Sequence, residues 1–448
     1  MVHSSVIKRL KGRLVDLHFR ELLLGSSSSL VLRVVGMGLG YLTMLHITNH
    51  HGAEVFGVLS LLTTVVLIFS IVPKFGMDIA LVRIIGELRA HAQDLEIKYV
   101  IKKVVLFVFF ASCAFSIFLF FSSGLISKYF FNKPHIYDAL QVMSITVVAN
   151  AVIVAIAAVF QGVKRIKTFV FLQLVVQHLL FLILLLMNDW LYFGAQIITV
   201  YVLSSILSAT VALTLLVRTF DMLHMDSVQE RHKYNLKKIL ISSYPMLITG
   251  SFAVMMGWID IIMLGIFQTE VDVGIYTVAH KIAGLVGLSL VVVNSISLPK
   301  FAECYAKKDL SRLRDVARQS TALIFITSAP LFLLSVFAAD FIMSIFGKEF
   351  IAGSLALILM ATAQLFNAFC GPVGSLLQMT DHQKIVQKIV ALVAIVNLVL
   401  NYFLIPVYGI NGAALSTMLS VILWNAIMIF VVKNSLGFWA FYIPKFNR

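Results

Sequence analysis

An all-α membrane protein of twelve transmembrane helices, built as two parallel six-helix repeats, is the fold class this sequence predicts, and three observations carry it. Of its 448 residues 60% are hydrophobic and 12% charged, against roughly a quarter charged in soluble domains. Apolar runs of about 20 residues recur along the whole length, each able to cross roughly 30 Å of hydrocarbon as helix. Finally, a shift of 217 residues lays the second half of the chain over the first.

In order, the spans are expected at 26–48, 55–73, 104–122, 138–160, 168–187 and 193–217, then at 239–263, 274–298, 319–339, 353–377, 385–405 and 411–432. Alternating, turn-punctuated strands of the barrel kind are absent from the pattern. Span 1 follows a segment holding Lys8, Arg9, Lys11, Arg13 and Arg20, and no small-residue cleavage site comes after it. It therefore reads as an uncleaved first helix. The expected organisation is a cytoplasmic segment 1–25, an N-lobe 26–217, a cytoplasmic linker 218–238, a C-lobe 239–432 and a cytoplasmic tail 433–448.

A net charge of +14 would suggest nucleic acid in a soluble protein, so its distribution must decide. With the N-terminus inside, the outer loops hold only Lys128, Lys133 and Lys348, Arg33 and Lys281 lie within spans, and every other Lys and Arg falls on the inner side. The basic excess is thus an orientation signal, which places both termini in the cytoplasm and puts basic turns against anionic lipid headgroups. No nucleic-acid partner is expected. The outer loops 49–54, 188–192 and 406–410 are too short for a catalytic domain. Cys113, Cys304 and Cys370 are an odd set with two members inside spans, so no disulfide framework is expected.

The repeat is sparse but ordered. At the 217 offset Gly57 meets Gly274, Leu140 meets Leu357, Met143 meets Met360, Asn150 meets Asn367 and Gln161 meets Gln378. Six helices per copy is an even number, so both copies enter the bilayer from one side, as parallel transporter repeats do.

The costly residues are the candidate site. Each cation inside a span costs about 2.5 to 3.5 kcal/mol on insertion scales, and Arg33 and Lys281 each lie about seven residues, roughly 10 Å, from a span end. A phosphate oxygen 4 Å away at an effective dielectric near 20 returns about 4 kcal/mol, so both are candidate contacts to an anionic, lipid-linked substrate. The alternative is snorkelling to the interface. Asp78 and Arg83, in "FGMDIALVR", stand at the inner end of span 2, as a helix anchor or as the first receivers of substrate, with Asp78 a candidate for ion coupling. Asp260, in "WIDIIMLG", is the one acid placed within a span, and pairing with Lys281, binding of a coupling ion and interfacial exposure are its three readings. Asn150 and Asn367 are mid-span amides expected to bond across helices at about 1 kcal/mol each, with substrate contact as the further reading. Gln173, Gln177, His178, Gln364 and Asn397 read as similar polar glue.

"GMGLG" at 36–40 follows no strand and reads as helix packing, not as a nucleotide loop. His50, His51 and Glu54 crowd one outer turn without the spacing of a metal site. No nucleophile, base or paired-carboxylate arrangement stands out, so neither an enzyme nor a cofactor is expected.

Several stretches together resemble the O-antigen and polysaccharide flippases of the Wzx type, within the superfamily that also holds multidrug extruders and the lipid II flippase: "HHGAEVFGVLSLL", "FGMDIALVR", "WIDIIMLGIF", "VGIYTVAHKIA", "IFGKEF" and "VYGINGAALST". The resemblance implies a two-lobed transporter of the inner membrane that moves an undecaprenyl-pyrophosphate-linked oligosaccharide to the outer leaflet by alternating access. It implies polymerase and chain-length machinery as neighbours, and a multidrug exporter driven by protons or sodium as the alternative. It also carries a substrate role to Arg33 and Lys281, since the helices they occupy flank the lateral opening of the lipid II flippase. The departure is span 2, which holds no cation within it and meets Arg83 at its end, where lipid II flippases carry a denser basic cluster.

Overall fold

The structure, a computed structural model, describes residues 17–91, 94–191, 196–222 and 235–441. Lys8, Arg9, Lys11 and Arg13, most of the 218–238 linker and the end of the tail lie outside those residues. Among the described residues every regular element is a helix.

Two helices each contain a pair of expected spans. α1 (Leu17–Lys74) is broken at Gly52 (φ 81°, ψ 177°). The last helix, Gln383–Leu436, is broken in the same way at Gly409 (φ 55°, ψ −132°), three residues after Pro406. Left-handed backbone is open to glycine at little steric cost, so a single residue suffices for each turn where the sequence suggests a short outer loop.

Past span 2 the chain forms α2 (Met77–Ala90), a separate helix that sequence periodicity did not single out. Leu81, Ile84, Ile85 and Leu88 form its buried face, while Arg83 and Glu87 are exposed. Then come α3 (Asp94–Leu125), α4 (Tyr137–Ser144), α5 (Thr146–Gly162), α6 (Ile166–Val170), α7 (Val176–Trp190) and α8 (Ile197–Met222). The second half holds α9 (Leu236–Phe267), α10 (Glu270–Val286), α11 (Leu288–Ala306), α12 (Leu310–Phe337), α13 (Ala339–Ser344), α14 (Ser354–Cys370), α15 (Val373–Gln378) and α16 (Gln383–Leu436). Seven stretches among the described residues are long and apolar enough to cross a membrane, or nine when two bent pairs are joined. The bends are 41° between α4 and α5 and 44° between α10 and α11.

The chain divides into two compact units. The first comprises Met1–Met44, Val66–Leu125 and His135–Ile248; the second comprises Leu45–Val65, Ile126–Pro134 and Thr249–Arg448. In the first, Leu81 and Ile85 of α2 pack with Val104 of α3 and with Ile156 and Phe160 of α5. In the second, Phe301 of α11 and Leu313 of α12 join Leu376 of α15 and Val393 and Met428 of α16. Phe121 and Phe337 are 78% and 84% exposed. Side chains of that size face outward at no cost only where the surroundings are hydrocarbon.

Candidate functional site

Three polar arrangements stand out against this apolar background. The first, in the second unit, is centred on Asp260 of α9, 4% exposed. Its Oδ2 accepts from the Tyr276 hydroxyl of α10 at 2.9 Å and from the Thr417 hydroxyl of α16. Its Oδ1 accepts from the Asn401 amide, one turn beyond Asn397 on the same helix, and that amide also donates to Asn397 Oδ1 at 3.1 Å. The Asn401 oxygen is buried and without a hydrogen-bond partner among the described residues. Interfacial exposure of Asp260 is therefore overturned, and its partners are three neutral donors, not the Lys281 ammonium. The hydrogen bonds to this carboxylate thus come from neutral donors, with the His280 ring close enough to feel its charge. Five side-chain oxygens and the unfilled Asn401 acceptor on three helices make an oxygen-lined nest of the chemistry that hard cations prefer.

The second arrangement clasps one end of the second unit, the end that the charge pattern assigns to the outer side. Gly57 and Gly274 bring α1 and α10 so close that a Cβ on Gly57 would lie 1.7 Å from the Glu270 carbonyl oxygen, and one on Gly274 would lie 2.3 Å from that of Ala53. Beside this contact Lys133 reaches Glu270 at 3.5 Å, with both side chains 11% exposed, and donates to the Gln268 carbonyl at 2.7 Å. Burial lowers the Lys133 pKa, and the Glu270 carboxylate only partly offsets it. On the other flank the Ala53 backbone N–H donates to Glu349 Oε1 at 2.6 Å, and Asn49 donates to the Ile345 carbonyl at 3.0 Å. Lys133 and Lys348 are read from the sequence as outer-loop charges, Glu349 only as part of "IFGKEF", and Glu270 not at all. Nothing in residue type marked them, but the 217 offset that pairs Gly57 with Gly274 was a usable signal.

The third lies in the first unit. Asp78 and Arg83 are on α2, not at the end of span 2, and both line a cavity of about 440 Å³. Asp78 sits in the first turn, where a carboxylate favours the helix N-terminus, and Arg83 Nε donates to Glu87 at 3.0 Å.

The remaining candidates are dispersed. Arg33 is exposed on α1 in the first unit. Lys281 is exposed on α10 in the second, its ammonium 5.5 Å from the centroid of the Phe56 ring, a cation–π distance. Asn150 of α5 and Asn367 of α14 are half-buried, and neither side chain hydrogen-bonds to another described residue, so the cross-helix bonds expected of them are absent there. Gln177 does act as glue, donating to Ser204 and Ser205 of α8 at 3.1 and 2.9 Å.

Comparison with known proteins gives two family models, one described as polysaccharide biosynthesis protein over residues 22–304 and MatE over residues 245–403. A probable low-salt glycan biosynthesis flippase of Haloferax volcanii is 28% identical over 164 residues, 36% of this chain and 35% of that one. A second probable flippase of the same organism is 25% identical over 38% of this chain and 37% of its own. Each alignment spans only about a third of the curated flippase. An uncharacterized membrane protein of Methanocaldococcus jannaschii is 24% identical over 85% of this chain and 90% of its own. Among solved structures, the lipid II flippase MurJ in an inward closed conformation superposes with a TM-score of 0.68 at 16% identity, over 92% of this chain and 87% of its own. An inward-facing multidrug resistance MATE family transporter of the MOP superfamily gives 0.71 at 12% identity, over 91% and 98%. The two-lobed all-helical transporter fold is common to them.

Proposed function

Because the chain belongs to the polysaccharide biosynthesis protein family, we propose that it is a flippase, a transporter and not an enzyme, which carries an undecaprenyl-pyrophosphate-linked oligosaccharide from the inner to the outer leaflet of the cytoplasmic membrane by alternating access. Its product feeds O-antigen, capsule or exopolysaccharide synthesis, with polymerase and chain-length machinery downstream. Both termini are cytoplasmic and the spans number twelve.

The observation that carries the reading is the pair of exposed cations, Arg33 and Lys281, inside otherwise apolar spans. An anionic pyrophosphate offsets the insertion cost of each. A hydrated sugar chain cannot cross hydrocarbon unaided, so the step needs an energy source as well as a path. Asp260, with Asn397, Asn401, Thr417 and Tyr276 around it, supplies the coupling site. Binding of a proton or sodium ion neutralises the carboxylate and changes which partners it holds, so an ion gradient can bias the two access states. Arg83 and Asp78 act where substrate first enters, and Asn150 and Asn367 offer their free amides to the passing glycan.

The test is genetic and biochemical. Deleting the gene should leave lipid-linked glycan on the inner leaflet, the wild-type gene should restore export, and Arg33→Ala/Lys281→Ala should fail to restore it. Full restoration by that double variant removes the site assignment, and absence of accumulation on deletion removes the flippase reading. A second reading, export of organic cations, is favoured by the buried acid and by the MatE match over residues 245–403. It requires that the deletion sensitise cells to cationic dyes while glycan export continues.

A further inference from the structure

The cavity of the first unit is lined by more hydrogen-bonding capacity than the protein uses. Gln161 at the end of α5 and Gln173 in the π-helical stretch Phe171–Val175 between α6 and α7 both face it, as do Asp78 and Arg83 of α2 and the Phe169 ring of α6. Among the described residues neither glutamine side chain forms a hydrogen bond, and the one hydrogen bond to the Asp78 carboxylate comes from the Ile79 backbone N–H, at 3.1 Å. Each free carboxamide brings two donors and two acceptor lone pairs to the wall.

The charges decide what this wall suits. Arg83 is matched by Glu87, and Lys74 lies close enough to Asp78 to couple with its charge. Two acids and two bases leave no net positive charge, so a pyrophosphate finds no counter-charge to replace its hydration. A neutral ring bearing hydroxyl or acetamido groups finds two amides and a carboxylate for its polar edge. Phe169, with the aliphatic walls of Ile79 and Val154, offers an apolar surface for its C–H face. A volume of about 440 Å³ falls in the usual range of small-ligand sites, roughly 300 to 1,000 Å³.

We propose that this cavity is a sugar subsite, holding one neutral ring of the glycan through Gln161, Gln173 and Asp78 while the pyrophosphate is held elsewhere. It deepens the flippase reading and rests on it.

The test uses the purified full-length protein in lipid nanodiscs. Saturation-transfer NMR is run with N-acetylglucosamine and with galactose as probes, and phosphorus NMR with inorganic pyrophosphate. Transfer to the ring protons of at least one sugar is expected, falling at least fivefold in Gln161→Leu/Gln173→Leu, a change of similar volume that suits an apolar setting, and also in Phe169→Ala. Pyrophosphate linewidths should be the same in wild type and double variant. The proposal is overturned if neither sugar shows transfer, if transfer survives both variants, or if pyrophosphate broadening is lost with the glutamines. Reconstituted vesicles separate this failure from that of the flippase reading. If wild type moves no lipid-linked glycan the flippase reading falls; if wild type and double variant move it at equal rates, only the sugar subsite falls.

Discussion

Replacing Gly57 by alanine tests the clasp on the second unit with one methyl group. The new Cβ would sit 1.7 Å from the Glu270 carbonyl oxygen and 2.7 Å from its carbon. Both are backbone atoms, so no side-chain rotation relieves the clash. Ordinary contact lies near 3.4 Å, so the start of α10 must retreat by roughly 1.5 Å. The Lys133–Glu270 pair, at 3.5 Å, then opens to about 5 Å, beyond ion-pair contact. Overpacking of this kind costs about 1 to 3 kcal/mol, and the cost falls only on the state in which α1 and α10 touch. The equilibrium should shift away from the closed clasp by roughly 5- to 150-fold at one decade per 1.4 kcal/mol. Amide hydrogen exchange reads this directly, since protection over residues 268–276 should fall by that factor. Gly38→Ala is the control, because its Cβ would meet nothing within 4 Å, and it should leave the same amides protected. If Gly57→Ala folds and protection at 268–276 stays within twofold of wild type, the closed contact is not the one described and the argument from it fails.

Lys133→Met should weaken the clasp by about 1 to 3 kcal/mol, because it removes the hydrogen-bond donor that the amine, charged or neutral, supplies to Glu270 and to the Gln268 carbonyl, whereas Lys133→Met/Glu270→Met should recover part of the protection; a double variant no better than the single would refute the pairing. Protonation favours whichever state holds Lys133 at its higher pKa, and burial lowers that pKa in the closed clasp. Protection of 268–272, corrected for intrinsic exchange, should therefore rise as pH increases through the lowered value toward the ordinary 10.5, and a fall over that interval would contradict the sign. Asp260→Asn keeps the shape of the nest but removes its charge, so vesicles carrying it should lose the dependence of glycan movement on an imposed proton or sodium gradient. Gradient-driven movement at the wild-type rate would exclude Asp260 as the coupling group.

What the sequence showed and what it hid follow from the range of each signal. Spans are local, set by some 20 consecutive apolar residues, so the pairs within α1 and α16 were legible even where Gly52 and Gly409 reduce a loop to a single residue. α2 was missed because its apolar face is only half of its surface, and a window tuned to membrane helices passes over it. Asp260 was legible as an expensive residue but not as a solvated one. Two of its partners, Asn401 and Thr417, lie 141 and 157 positions away in the chain, and only packing of α9 against α16 brings them together. The spacing of Asn397 and Asn401, four residues apart on one helical face, was the one local trace of that nest.

The repeat carries longer-range information than its few identities suggest. Residues lying on an axis that relates two copies must meet their own counterparts, and Gly57 and Gly274, matched at 217, do meet. The same offset carries Ala53 to Glu270 and Asn132 to Glu349. Lys133 on Glu270 and Glu349 on the Ala53 N–H are thus nearly equivalent positions, one closed by an ion pair and the other by a side-chain-to-backbone bond. The three charges placed within spans behave differently: Asp260 falls on Thr43, Lys281 on Thr64 and Arg33 on Gly250. Two copies of a scaffold can share a contact that serves packing, as Gly57 and Gly274 do. A substrate and a coupling ion have no two-fold symmetry, so charge placed for them belongs to one copy, and the mismatched positions of the repeat are where function is to be sought.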